Sequence, residues 1–272
     1  MGTLYLVATP IGNLEDITLR ALRILKDVGW VASEDTRHTG RLLQHYGIST
    51  PQLSYHEHNK RARLGRILRA LDAGEVALVS DAGMPGLSDP GFELVRAALE
   101  AGHVVRPVPG ASAPVAALVA SGLPCDTFLY LGYLPRQPAE RRRLLESLAL
   151  EPRTLVLFEV PHRLRSALAD LVRTLGGERP AAACRELTKL HEDIQRGTLA
   201  SLADHFAEHA PRGEFTLVVG GAASKAWDET RVRKELKRHR RQGETPTRAA
   251  RSVAEASGWT RRDVYRLAVE DE

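Results

Sequence analysis

The sequence is poor in cysteine and contains no long apolar run, and each shortage excludes a class of protein. Only two cysteines, Cys125 and Cys184, occur among 272 residues, and both have mainly apolar or small neighbours. This usage fits reduced core thiols better than a disulfide framework or a cysteine metal site. No apolar run reaches eighteen residues and no basic leader precedes the first predicted strand. We therefore expect neither a membrane span nor a signal peptide, and we expect a cytoplasmic protein.

Two nucleotide-binding motifs are also missing from the chain. It contains no G-x-G-x-x-G fingerprint and no G-x-x-x-x-G-K-[ST] sequence. Nicotinamide cofactors and P-loop nucleotide hydrolysis are therefore disfavoured. The composition, with 43% hydrophobic and 26% charged residues, is typical of a globular protein, and the length allows two domains.

The excess positive charge lies at the C-terminal end. Residues 225–272 hold 13 Lys and Arg against 9 Asp and Glu, whereas residues 1–224 hold 25 of each kind. Within the tail, residues 231–241 carry seven basic side chains and one acidic side chain. This density is typical of a surface that contacts nucleic-acid phosphates, although a solvated helix face could carry similar charges.

The most informative stretch of the chain runs from Val79 to Gly91. It contains three glycines, two prolines and two aspartates, and it joins an apolar run at residues 76–79 to an amphipathic pattern at residues 92–99. This is the pattern of a buried strand, a long loop and a helix. Ligands of parallel α/β sheets bind beyond the carboxyl ends of the strands, where glycines let backbone amides come close. Since long loops in compact domains are usually functional, we predict a ligand site here.

The first 120 residues alternate between strand and helix patterns with short connections. This order predicts a parallel, doubly wound sheet with glycine- and proline-rich turns at Pro10, at residues 80–91 and at residues 109–113. A second α/β unit follows Gly122, with strands predicted near residues 128–131, 154–158, 181–187, 192–197 and 215–219. We expect domains at residues 1–118, 119–224 and 225–272.

The last predicted domain is a small helical segment. Three helical patterns occur near residues 229–241, 246–257 and 260–270, with breaks between them. The second break is short enough for a helix-turn-helix, which would place Arg261, Arg262 and Arg266 on its last helix.

Seven motifs occur in a fixed order between residues 3 and 221. They are residues 6–14, 34–37, 54–59, 80–83, 109–113, 161–164 and 185–192. Together they resemble the ribosomal RNA methyltransferases of the tetrapyrrole methylase superfamily, and the basic tail resembles the family's C-terminal helix-turn-helix segment. The resemblance implies two α/β domains with S-adenosylmethionine in the cleft between them, and a homodimer. It also implies methyl transfer to the 2′-oxygen of a cytidine in the decoding region of small-subunit ribosomal RNA, as free RNA or in the assembled subunit.

The same motifs imply the residues of the cofactor site. These are Pro10, Ile11, Ser80, Asp81, Gly83, Met84, Ser112, Ala113 and Val160. Met84 stands where threonine is usual in the family. A sulfonium methyl group is already a strong electrophile, so alignment and proton removal are the tasks left to the protein, and we expect no metal.

Proton removal requires a base near the ribose hydroxyl or a cation that stabilises the developing alkoxide. The candidates are Glu34, Asp35 and Lys189, although Glu34 and Asp35 could instead belong to a helix cap. Candidate substrate-binding residues are Arg37, His56, His58, Arg163, Arg185, Arg238 and Arg241, since arginine suits phosphate. The spacing of His56 and His58 does not favour zinc.

Two other functions are compatible with parts of the sequence. A methyltransferase acting on a tetrapyrrole or another small molecule would leave the basic tail without a role. A non-catalytic nucleic-acid-binding protein would leave the three glycine- and proline-rich turns unexplained.

Overall fold

The computed structural model describes residues 1–222 and 227–270 of the chain. The first sheet is built from β1 (Thr3–Val7), β2 (Trp30–Ser33), β3 (Gln52–Ser54), β4 (Val76–Val79) and β5 (Val104–Val108). Its order is β3-β2-β4-β1-β5, and every pairing is parallel, as the alternating pattern predicts. All four residues of β4 are buried, because helices cover both faces of the sheet.

Five helices follow these strands: α1 (Leu19–Asp27), α2 (Thr36–His45), α3 (Lys60–Ala73), α4 (Phe92–Glu100) and α5 (Ala113–Ser121). Leu25 of α1 and Leu43 of α2 join the core on one face of the sheet. Ile67 of α3 and Leu94 of α4 join the core on the opposite face. The first half of the chain is therefore doubly wound, with all carboxyl ends of the strands at one edge.

The second sheet is mixed. Its strands are β6 (Phe128–Tyr133), β7 (Thr154–Glu159), β8 (Pro180–Arg185), β9 (Asp193–Thr198) and β10 (Phe215–Val219), and its order is β6-β7-β10-β8-β9. Only β6 and β7 pair in parallel, whereas β10 runs antiparallel to both of its neighbours. The helices α6 (Pro138–Ser147), α7 (Pro161–Leu175) and α8 (Leu199–Glu208) supply the core on one face.

The opposite face of the second sheet is covered by α5. Ala117 and Leu118 pack against Val156, Ala182 and Val218. The predicted domain boundary near residue 118 thus falls inside a helix that follows the first sheet and packs on the second. The three-domain division stays a prediction, whereas the predicted class of two α/β domains with a helical tail is confirmed.

The tail contains the three predicted helices, α9 (Glu229–Arg241), α10 (Pro246–Ser257) and α11 (Arg261–Glu270). They share a small core of their own, formed by Val232, Leu236, Ala249, Ala250, Val253, Val264 and Leu267. The predicted start of the tail at residue 225 lies outside the described residues.

The internal contacts divide the chain into two compact units, residues 1–221 and 222–272. Both sheets belong to the first unit, and α9 to α11 belong to the second. Among the described residues, no helix is both long and apolar enough to cross a membrane.

Candidate active site

The predicted loops meet at the carboxyl edge of the first sheet. The backbone N–H of Thr9 donates to Gly83 O at 2.9 Å, and the N–H of Gly83 donates to Thr9 O at 3.0 Å. The Thr9 hydroxyl also donates to Ser80 O at 3.1 Å. A Cβ on Gly110 would lie 2.9 Å from the Cβ of Ala8, so the third loop also packs closely against the end of β1. The three loops therefore form one continuous surface.

A cavity of about 270 Å³ lies between these loops and the second sheet. Its volume is close to the lower end of the range for small-molecule sites, about 300 Å³. The first half of the chain contributes Ile11, Glu34, Asp81, Gly83, Met84, Asp89, Ser112 and Ala113. The second sheet and its loops contribute Tyr133, Phe158, Cys184, Glu186, Leu187, Lys189, Glu214 and Phe215.

Two hydrogen bonds cross this cleft. Ser88 Oγ and the Tyr130 hydroxyl oxygen are 2.8 Å apart, and the backbone N–H of Asn13 donates to Thr188 Oγ1 at 3.1 Å. Ser88 and Thr188 have positive φ angles of 63° and 65°. With Glu186, at 49°, they are the non-glycine residues of the described chain in this region of backbone space. Such strain persists only where the surroundings hold it, and it concentrates at functional sites.

Six of the nine predicted cofactor residues line the cavity, namely Ile11, Asp81, Gly83, Met84, Ser112 and Ala113. Pro10, Ser80 and Val160 are not among its lining residues. Ser80 is buried directly before the lining segment, and Val160 is the N-cap residue of α7. The cofactor roles of all nine residues stay predictions.

Glu34 and Lys189, two of the three candidate catalytic residues, also line the cavity. Asp35 does not; its carboxylate caps α2 by accepting from Arg37 N at 2.8 Å and binds the Arg37 guanidinium at 2.9 Å. The Arg37 hydrogen bonds hold the pKa of Asp35 well below its usual range. The backbone N–H of Asp35 donates to Asp81 Oδ1 at 3.0 Å, which links it to the site.

The candidate substrate-binding residues of the first unit are Arg37, His56, His58, Arg163 and Arg185, and none of them lines the cavity. Arg163 Nη2 donates to Leu134 O at 2.7 Å, and Arg185 Nε donates to Arg212 O at 2.7 Å. The rings of His56 and His58 lie 6.1 Å apart. In the described part of the chain, no group of three or more His, Cys, Asp or Glu side chains is arranged to hold a metal ion.

Comparison with known proteins identifies the family of this chain. Residues 3–203 match the model of the tetrapyrrole (corrin/porphyrin) methylases. The chain belongs to this methylase family. It is 50% identical to a Synechocystis sp. protein named ribosomal RNA small subunit methyltransferase I, over 99% of this chain and 98% of the relative. A Pseudomonas aeruginosa protein of the same name is 53% identical over 81% and 79% of the two chains.

A solved structure supports the same fold for the methylase. The uroporphyrin-III-C-methyltransferase from Thermus thermophilus is 27% identical, covers 81% of this chain and 94% of its own, and has a TM-score of 0.59. The family prediction made from the seven motifs is therefore confirmed, and the protein is a methyltransferase.

Two carboxylates give the methylase cavity its unusual electrostatics. Burial, with the charges of Asp89, Asp81, Asp35 and Glu57, raises the pKa of Glu34 from 4.5 to about 7. Burial and the charge of Asp81 raise the pKa of Asp89 to about 6, although a hydrogen bond from Ser80 opposes the shift. Near neutral pH, Glu34 can therefore both accept and release a proton.

A basic group faces the same cavity of the methylase. Lys189 Nζ donates to Glu186 Oε1 at 2.8 Å and to Glu214 Oε2 at 3.0 Å. Burial lowers the pKa of Lys189, but these two hydrogen bonds outweigh burial and the net shift is upward. Lys189 is therefore an ammonium ion at neutral pH, suited to stabilise developing negative charge.

The sequence did not identify several lining residues of the methylase, among them Asp89, Tyr133, Phe158, Glu186 and Glu214. Asp89 lies inside the loop of residues 79–91, for which the sequence predicted a ligand site, so its position in that loop could have identified it. Tyr133 and Phe158 stand at or near the carboxyl ends of β6 and β7, and their rings lie 5.4 Å apart. Only the packing of the two sheets shows that these residues face the first-sheet loops.

The residues of the cavity fit S-adenosylmethionine. Ser112 caps α5 without a side-chain hydrogen bond, and Pro114 has no N–H, so the backbone N–H groups of Ala113 and Val115 are the donors that the first turn offers to a carboxylate such as that of the methionine moiety. Asp81 suits the amino group, and Ile11, Met84 and Leu187 give apolar surface for the nucleoside. Gly83, at φ 78°, lets the backbone come close without a Cβ.

Proposed function

We propose that this methylase transfers the methyl group of S-adenosylmethionine to the 2′-oxygen of a cytidine ribose in small-subunit ribosomal RNA. Relatives of 43–50% identity over nearly the whole chain carry the name ribosomal RNA small subunit methyltransferase I. The observation that carries the proposal is the cavity itself. It brings predicted cofactor residues and Glu34, a carboxyl group that can accept a proton near neutral pH, to one place.

The reaction forms an O–CH₃ bond and breaks an S–CH₃ bond, and the hydroxyl proton must go to a base. When bound, S-adenosylmethionine supplies an electrophilic methyl group. Glu34 takes the ribose proton as the oxygen accepts the methyl group, since its pKa near 7 matches the working pH. Lys189 stabilises the negative charge that develops on the oxygen. The lining residues align donor and acceptor and exclude water.

The reacting ribose enters the cavity, and the RNA on either side of it is bound outside. We assign phosphate contacts to Arg37, Arg163 and Arg185, with His56 and His58 beside them, and to Arg238 and Arg241 of the tail. Arg37 is the most open of the first three, since 87% of its side chain is exposed. The acceptor is free RNA or RNA in the assembled subunit, and either substrate places the enzyme in the cytoplasm. A small-molecule substrate would leave the basic tail without a role.

The proposed homodimer is supported by an exposed apolar surface. Phe92 and Leu99 of α4 are 66% and 56% exposed, and Val104 of the edge strand β5 is 44% exposed. Exposed apolar side chains on two elements that contact each other, as α4 and β5 do, are typical of a protein interface. Sedimentation of Phe92→Asp and Leu99→Asp variants should show monomers; unchanged dimers would place the interface elsewhere.

Ribose methylation can be mapped directly to test the function. Mass spectrometry of small-subunit RNA from cells lacking this protein should show the loss of one ribose methyl group on a cytidine. The wild-type gene should restore the group, and a gene encoding Glu34→Gln should not. An unchanged methylation pattern in the deleted strain would refute the substrate assignment.

A further inference from the structure

Helices α10 and α11 form a compact helix-turn-helix. The turn consists of residues 258–260, and Gly258 takes the left-handed conformation at φ 72° that ends α10. Thr260 Oγ1 then accepts the N–H of Asp263 and starts α11. A turn of three residues containing glycine is the connection typical of this motif, in which the second helix presents its N-terminal residues to a nucleic acid.

The first two turns of α11 expose a basic face with an aromatic residue. Val264 and Leu267 point into the tail core, whereas Arg261, Arg262, Tyr265 and Arg266 are exposed. Pairs of these residues four positions apart lie on the same side of the helix. Tyr265 is 45% exposed and stands between the arginines. The four side chains therefore form one surface, here called the α11 face.

The arginines of the α11 face are largely unpaired. Within residues 1–222 and 227–270, Arg261 and Arg262 have no ion pair, and Arg266 reaches Glu270 only at 3.7 Å. Several basic residues of α9 are engaged instead. Arg233 pairs with Glu229 at 2.7 Å, and Arg238 pairs with Glu235 at 2.6 Å. The α11 face thus carries positive charge that no acidic side chain of the described protein strongly neutralises.

We propose that the α11 face binds an unpaired segment of RNA. Its three arginines contact phosphate groups, and Tyr265 stacks on one base. This inference rests on the proposed function, because it names how the same enzyme holds its RNA. The sequence placed Arg261, Arg262 and Arg266 on the last helix of a helix-turn-helix, but neither the motifs nor the relatives' names say which form of RNA this surface binds or give Tyr265 a role.

Charge and shape favour unpaired RNA over a duplex. The deep major groove of A-form RNA does not admit a helix, so a helix-turn-helix cannot read duplex RNA as it reads duplex DNA. Single strands are instead bound by basic surfaces with aromatic side chains, because phosphates and base faces are both accessible. An exposed tyrosine among three arginines meets both requirements.

Binding of an RNA fragment tests the α11 face in the full-length protein. The probe is a decoding-region fragment of small-subunit RNA made by transcription, and its Kd is measured over a range of salt concentrations. Replacing Arg261, Arg262 and Arg266 by Gln should lower the salt slope by about 2 and weaken binding about 100-fold at 0.1 M salt, from three lost phosphate contacts. Tyr265→Leu should weaken binding about tenfold without changing the slope, and Tyr265→Phe should bind as wild type.

A matched variant controls for charge alone. Replacing Lys234, Arg248 and Arg251 by Gln removes the same number of positive charges from α9 and α10, and its salt slope should change by less than about 1. An equal loss of affinity in this variant would overturn the proposal, because it would show that the total positive charge of the tail, and not the α11 face, attracts the RNA. Replacing the three α11 arginines by Lys should preserve the slope, and S-adenosylmethionine affinity, measured by calorimetry, should be unchanged throughout.

Three further outcomes test this inference and distinguish it from the proposed function. If the wild-type enzyme methylates the RNA and the α11 variants bind it unchanged, only the α11 assignment fails. If duplex DNA or duplex RNA binds as tightly as the unpaired fragment and Tyr265→Leu has no effect, the surface contacts a duplex instead. If the wild-type enzyme binds the RNA but transfers no methyl group to it, the proposed function fails while the α11 face stands.

Discussion

The cavity and the α11 face use charge in opposite ways. In the cavity, Glu34 and Asp89 are partly buried near other carboxylates, and their pKa values are raised toward neutrality. On the α11 face, Arg261 and Arg262 are exposed to water. Proton transfer at neutral pH requires a carboxyl group whose ionised form is disfavoured by its surroundings, because the pKa of such a group lies near 7. Attraction of RNA requires charge that is permanent and accessible.

The two regions also differ in how their structure is supported. The cavity lies between the loops of the first sheet and the second sheet, and the strained residues in or beside it, Ser88, Glu186 and Thr188, are held by contacts across the cleft or within their loops. The tail has a core of only seven buried apolar residues and no non-glycine residue of positive φ within residues 227–270. We infer that chemistry resides where the scaffold can hold strain, and that the RNA contacts proposed for the α11 face need only a small helical unit.

The largest expected effect is on the proton acceptor. Glu34→Gln should lower kcat/KM for methyl transfer about a thousandfold, because general base catalysis is worth about 10²–10⁴-fold. S-adenosylmethionine and RNA should bind as before. The wild-type rate should fall as the pH drops below about 7, where Glu34 becomes protonated, and the residual rate of the variant should not follow this profile. Asp35→Asn is the comparison variant. If it lowers kcat/KM more than Glu34→Gln does, Asp35 is the base.

The second prediction is that destabilising the tail core leaves the cavity intact. Leu267→Ala removes a buried side chain from the small tail core and should cost about 3 kcal/mol. Hydrogen exchange of α9 to α11 should accelerate and RNA affinity should fall, while S-adenosylmethionine affinity stays unchanged. Leu157→Ala in the second sheet is the matched variant, since Leu157 is also buried but belongs to the unit that contains the cavity. Equal loss of S-adenosylmethionine binding in both variants would contradict the division of the chain into a tail and a separate unit that contains the cavity.

The third prediction concerns stability and pH. The folded-state pKa of Glu34 is raised from 4.5 to about 7, so folding favours its protonated form. That contribution is fully present below pH 4.5 and is lost as the pH rises through about 7. Glu34→Gln should therefore be more stable than wild type at pH 8 by about 1 kcal/mol, discounted for partial solvent exposure, and the advantage should vanish near pH 4.5. Urea unfolding at both pH values measures the difference; an advantage that persists at low pH would contradict the assigned cause.

The smallest expected effect is at Met84, which lines the cavity and stands where the resemblance of the motifs implies threonine. Met84→Thr restores one hydroxyl group, and a neutral hydrogen bond contributes about 0.5–1.5 kcal/mol. Calorimetry should show S-adenosylmethionine binding two- to tenfold more tightly, on the order of that gain. Met84→Ser supplies the hydroxyl group without the methyl group of threonine, so it separates their contributions to the affinity. Weaker binding in both variants would mean that the methionine side chain itself packs on the ligand.

Much of the fold followed from local patterns. The alternation of apolar runs and helical patterns predicted the parallel first sheet, and the spacing of glycine and proline located the three loops at its carboxyl edge. The charge count placed the excess positive charge in the tail, and the breaks between helical patterns correctly located α9 to α11. The mixed pairing of the second sheet was harder to predict from the sequence, because antiparallel placement of β10 between β7 and β8 depends on pairing over long sequence distances.

The sequence by itself located the loops that line the cavity, because turn residues and strand ends are encoded locally. Tertiary structure decided how those loops act together. Glu34 has a raised pKa because the fold buries it and brings Asp89 near it, although 54 residues separate the two in the chain. Lys189 reaches the same cavity from the second sheet. Burial and Coulomb interactions depend on distance in space, so these properties exist only once the chain has folded.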